Sequence, residues 1–103
     1  MILGLDISTS RIGITVMKEN EELVFCEVLK AVKNSTLSAR CLALETFIKE
    51  LKYEFKFVFI EEPFIMFSGG KTTAHTMAKL QRFNGMCSYM IAKLTNIEPI
   101  LIP

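Results

Sequence analysis

The chain has 103 residues, half of them hydrophobic, and a formal net charge of +1. That length supplies one core and excludes a second lobe, and the composition excludes a disordered chain. The near-neutral balance excludes a general electrostatic pull toward nucleic acid or membrane and leaves a local patch as the place to look for a partner.

Met1 to Ile7 is an apolar run too short for a helix. Ser8-Thr9-Ser10 then supplies turn chemistry before a second β-rich run, Arg11 to Lys18. An acidic turn, Glu19 to Glu22, leads into a third such run from Leu23 to Lys30, so the opening predicts an antiparallel meander. Asn34, Ser35 and Thr36 offer capping oxygens, and the sequon they form reads as a helix start. Leu37, Cys41, Leu44, Ile48, Leu51 and Phe55 follow at alternating steps of four and three, which predicts a helix lying on the sheet. Phe57 to Ile60 is a continuous apolar run stopped by Glu61-Glu62-Pro63, the pattern of a central strand buried on both faces.

After a loop from Phe64 to Gly70, a second helix is expected from about Lys71 to Leu94. Leu80, Phe83, Cys87, Met90 and Leu94 share one face of it, Asn84-Gly85 is a weak point, and Gly85 marks a close helix approach. Pro99 to Ile102 is a last strand. The order is therefore β-β-β-α-β-α-β, an α/β domain over residues 1–103. Cys26, Cys41 and Cys87 show no C-x-x-C spacing and sit in apolar patterns, so reduced, buried thiols are expected. No basic leader and no bilayer-length apolar stretch is present, which predicts a cytoplasmic protein with no membrane partner.

A strand, crossover helix and strand normally join in parallel, which makes the first and fourth strands candidate neighbours and sets Asp6 beside Glu61. Both acids fall near the carboxyl ends of their strands, where α/β sheets present ligand sites. Hard oxygen ligands there suit Mg²⁺ or Mn²⁺ and hydrolysis of a phosphodiester. The alternative for Asp6 is a turn residue bonding nearby amides, and for Glu61 a solvated carboxylate. Side chains alternate along a strand, so only one of Glu61 and Glu62 faces the same side as Asp6; Glu61 is chosen.

Between Pro63 and Ile97 no Asp or Glu occurs, while Lys71, His75, Lys79 and Arg82 recur at steps of four, four and three. These form a basic helical stripe suited to a phosphate backbone, against the alternative of a solvated face. Phe64, Met66 and Phe67 follow the carboxylate strand as candidates for stacking on bases. Gly69 to Thr73 partly matches a phosphate-binding P-loop but lacks its first glycine, and Ser8-Thr9-Ser10 is a second phosphate candidate.

With these residues in place, the chain resembles the RuvC-type Holliday junction resolvases and their phage relatives, in the ribonuclease H-like superfamily. The likeness rests on Ile2 to Asp6 with Ser8 to Gly13, on Phe59 to Phe64, and on Ala78 to Gly85. It implies a ribonuclease H-like mixed sheet, metal-binding catalytic carboxylates at Asp6 and Glu61, and a junction-contacting aromatic at Phe64. It also implies a branched-DNA substrate and a homodimer formed through the second helix. Family members carry further acidic ligands on a helix after the last strand. The sequence stops before that helix, which implies an incomplete site and poor cutting, or none, by these residues alone. Rival resemblances are to the actin-like and sugar-kinase ATPases, through the opening strand, aspartate and Ser/Thr turn, and to the YqgF-type nuclease-like proteins, through Arg11-Ile12-Gly13. A non-catalytic junction-binding or dimerisation module is the third.

Overall fold

The computed structural model describes residues 1–63 and 74–103. Three strands open the chain, β1 (Ile2–Ile7), β2 (Arg11–Met17) and β3 (Leu23–Lys30), followed by helix α1 (Leu37–Leu51), strand β4 (Phe57–Glu61), helix α2 (Ala74–Thr95) and strand β5 (Ile100–Ile102). The expected order is observed. The strands form one five-stranded sheet in the order β3-β2-β1-β4-β5. Within it β1-β2 and β2-β3 are antiparallel, while β1-β4 and β4-β5 are parallel.

Period-two alternation divides the sheet. Leu3, Leu5, Ile7, Ile12, Ile14, Val16, Val58 and Ile60 point to one face and are buried there with Cys41, Leu44 and Ile48 of α1 and Phe83, Cys87 and Ile91 of α2. Both helices therefore cover the same face. β4 departs from expectation here: Val58 and Ile60 are fully buried, but Phe57, which points the other way, is 42% exposed. The strand is central in the sheet yet covered on one side among the described residues.

Helix α1 starts where the capping triplet places it, with the Thr36 hydroxyl accepting from the Ala39 N–H at 3.1 Å. It ends at Lys52, which adopts the left-handed conformation, so Phe55 packs on the core from beyond the helix. Helix α2 runs unbroken through Asn84-Gly85, and a Cβ built on Gly85 meets nothing within 4 Å. Gly85 is thus not a site of close approach among the described residues. Cys41 and Cys87 are buried as expected, but Cys26 is exposed, because β3 is an edge strand and its open side has no covering layer among the described residues. No helix among the described residues is long and apolar enough to cross a membrane.

Candidate active site

The parallel register pairs Leu3 with Val58 and Leu5 with Ile60, and its next step brings Asp6 alongside Glu61. Both residues alternate with buried neighbours, so their side chains leave the sheet on the face the helices do not cover, and both are exposed. Their proximity has an electrostatic signature. The Glu61 carboxyl is held above the ordinary carboxylate range, first by the negative charge of Asp6, then by a hydrogen bond shared with Asp6, and only last by burial. Two like charges this close favour either a shared proton or a cation.

Around the pair the open face is unusually low. Asp6 faces Gly13 across the β1-β2 ladder, and a Cβ on Gly13 would sit 3.5 Å from the Asp6 Cβ. A side chain at that position would be in ordinary contact with Asp6 and would occupy the space beside it that glycine leaves open. Gly4, Gly13, Thr15 and Cys26 floor a shallow groove of about 320 Å³ that has Asp6 and Glu61 in its wall. Thr15 Oγ1 and Cys26 Sγ lie 3.4 Å apart on that floor. The stacked rings of Phe57 and Phe59, with centroids 6.5 Å apart, continue the same face.

Glu61 is also held from behind. Asn84 of α2 is 5% exposed, and its side-chain amide donates to the Glu61 carbonyl at 3.2 Å while its own oxygen accepts from the Ser88 hydroxyl at 3.3 Å. A buried amide with both ends satisfied fixes the end of β4 against α2. Sequence reasoning missed this role and read Asn84-Gly85 as a helix weakness; the signal available was an amide at a position of the buried stripe, next to Phe83. Glu62 lies beyond the strand, exposed, with its N–H donated to the Ile102 carbonyl at 2.6 Å.

The basic stripe is only partly described. His75 and Arg82 are exposed and Lys79 is half-buried on α2, whereas Phe64, Met66, Phe67, the Gly69 to Thr73 segment and hence Lys71 lie outside the described residues. Because Asn84 is level with Glu61, the ten residues of α2 before it carry the helix about 15 Å toward and past the carboxyl edge of the sheet. His75, Lys79 and Arg82 therefore lie on the part of α2 toward that edge, not on the open face. Ser8 serves its own turn, its hydroxyl donating to the Arg11 carbonyl at 2.7 Å.

Among the described residues no third His, Cys, Asp or Glu joins Asp6 and Glu61 in a group that could hold a metal. The donor set still fits a divalent hard cation: two carboxylates on rigid strands, mutually repelling, open to solvent that can complete an oxygen shell.

No protein-family profile matches the sequence, and no curated protein matches it. Among solved structures the chain is similar to Thermus thermophilus RuvC in complex with Holliday junction substrate, with a TM-score of 0.71 and 15% identity over 98% of this chain. It is also similar to a Thermus thermophilus RuvC structure, with a TM-score of 0.64 and 14% identity over the same share. The chain spans 62% of the length of either RuvC chain. At this identity the likeness shows the fold alone: a mixed five-stranded α/β sheet similar to that of the RuvC structures.

Proposed function

We propose that this protein is a metal-dependent endonuclease of the Holliday junction resolvase type, hydrolysing phosphodiesters in branched DNA, with residues 1–103 acting as one ribonuclease H-like domain. The observation that carries the reading is the Asp6–Glu61 pair, set side by side at the carboxyl ends of parallel strands and close enough for Asp6 to raise the Glu61 pKa. The support from the fold is its likeness to RuvC, which has been solved with a Holliday junction substrate. Asp6 and Glu61 are the catalytic carboxylates and would hold Mg²⁺ or Mn²⁺. When bound, that cation supplies Lewis-acid activation of water and neutralises charge at the scissile phosphate.

The protein's own contribution is positional. Parallel pairing fixes the spacing of the two carboxylates, Asn84 anchors the Glu61 backbone, and Gly13 keeps the face beside Asp6 clear for a strand of DNA. Phe64, Lys71, His75, Lys79 and Arg82 are assigned to the DNA, the basic residues to backbone phosphates and Phe64 to a base. Two copies are proposed to act as a homodimer through α2, so that one four-way junction is met by two sites.

The test is cleavage of an end-labelled four-way junction under single-turnover conditions, with protein in excess, in Mg²⁺ and in Mn²⁺. Slow, metal-dependent cutting that Glu61→Gln abolishes is the expected result. Tight junction binding with no metal-dependent cutting moves the assignment to a non-catalytic junction-binding module, a reading favoured by the finding of only two grouped carboxylates among the described residues.

A further inference from the structure

A second feature of the open face is not explained by the carboxylate pair. Arg11 and Lys30 are register partners across β2 and β3, so two cations stand directly opposite each other. Like charges in that relation destabilise a strand pair. Neither is in an ion pair: those among the described residues are Lys18–Glu22, Lys49–Glu45 and Lys56–Glu19. No Asp or Glu occurs from Ile7 to Lys18 or from Val28 to Leu44, the segments that carry the two cations. Both residues are exposed.

Their placement gives the pair a use. Arg11 is two residues along β2 from Gly13, the partner of Asp6, and so shares the face of Asp6 and Glu61. Strand geometry sets the Arg11 Cα about 8 Å from the Asp6 Cα and the Lys30 Cα about 12 Å from it. The intervening position on β2 is a glycine, and its partner on β3 is the exposed Val28. The Ala31 N–H bonds to the Ser10 carbonyl at 2.9 Å and holds the end of β3 to the β1-β2 turn.

We propose that Arg11 and Lys30 form a phosphate-binding site on the open face of the sheet, which takes the backbone of the nucleic-acid strand where it leaves the Asp6–Glu61 pair across β2 and β3. This site rests on the proposed nuclease reading and deepens it, giving the substrate strand a path opposite in direction to the α2 stripe. Being phosphate contacts, the two side chains add affinity without reading sequence. A bound polyanion also removes the repulsion that the cross-strand pair carries in the free protein.

The experiment is fluorescence-polarisation binding of a labelled four-way junction and of a duplex of the same sequence. It is run in EDTA, so that no cation bridge forms at the carboxylates, and across a range of salt. Arg11→Gln and Lys30→Gln are each expected to weaken both DNAs about three- to tenfold. The double variant should lower the slope of log K against log salt by about two. Its melting temperature should match or exceed the parent's, and Arg11→Lys with Lys30→Arg should restore binding. Unchanged affinity and slope in the double variant, with the parent binding DNA, overturns this site and leaves the nuclease reading standing. Lost binding that the charge-retaining variant does not restore overturns it as well. A parent that binds neither DNA overturns both. Failure of metal-dependent cutting with Arg11- and Lys30-dependent binding intact removes only the nuclease reading.

Discussion

On the helix-covered face of the sheet Leu3, Ile14, Val16, Val58 and Ile60 have no solvent exposure. One residue along in the same strands, the opposite face presents Gly4, Asp6, Gly13, Thr15, Phe59 and Glu61 around a shallow groove. The two sets differ in what holds them in place. The first is fixed by removal of apolar surface from water, which is indifferent to function but demands shape and volume. The second is fixed only by being attached to the first, so its residues are free to be small, acidic or opposed in charge at little cost to folding. Stability and the proposed chemistry are thus separated by one step of backbone, and substitutions on the two faces should separate in the same way.

The sharpest separation is expected at the carboxylates. Asp6→Asn and Glu61→Gln should each reduce metal-dependent junction cutting by more than about 100-fold, above the loss typical of an outer partner of a metal ligand. Their melting temperatures should stay level or rise, since a like-charge contact is relieved. On the covered face, Leu44→Ala removes a fully buried side chain of α1 and should cost about 3 kcal/mol in urea unfolding, with cutting per folded molecule unchanged.

Asn84 joins the two faces, so its substitution should affect both. Asn84→Leu keeps bulk but leaves the Glu61 carbonyl without this donor; a loss of about 1–3 kcal/mol in stability is expected, together with roughly tenfold weaker metal binding by calorimetry. A stability loss with metal affinity intact would confine Asn84 to the covered face.

The smallest effect is on pH dependence. Glu61 binds its proton more tightly in the folded state, so its contribution to stability is fully present below the unfolded-state pKa and is lost as pH rises through the raised folded value. Thermal melts across the weakly acidic range should show this decline, and Asp6→Asn should flatten it. Because Glu61 is exposed, solvent screening keeps the effect small.

The covered face was the more legible of the two in the sequence. Alternation in β1 and β2 and the four-three stripe of α1 mark core positions directly, and Cys41, Leu44 and Ile48 are buried as that stripe requires. The adjacency of Asp6 and Glu61 was also legible, because parallel joining of β1 to β4 follows from connection rules and not from side-chain detail. The open face was less so. Phe57-Val58-Phe59-Ile60 reads as a strand buried on both sides because aromatic residues look alike in a string whether or not a layer covers them. Cys26 was misread for the same reason, and the role of Asn84 depends on a contact 23 residues away that no local pattern encodes.

Asp6 and Glu61 are proposed to form one divalent-cation site on the open face. Titrating the ¹⁵N-labelled protein with Mn²⁺ and following paramagnetic broadening tests it without requiring turnover. The first amides to broaden are expected to be those of Asp6, Gly13 and Glu61, and Asp6→Asn and Glu61→Gln should abolish the effect. Broadening centred elsewhere, or equal in the parent and the Glu61→Gln protein, would contradict it.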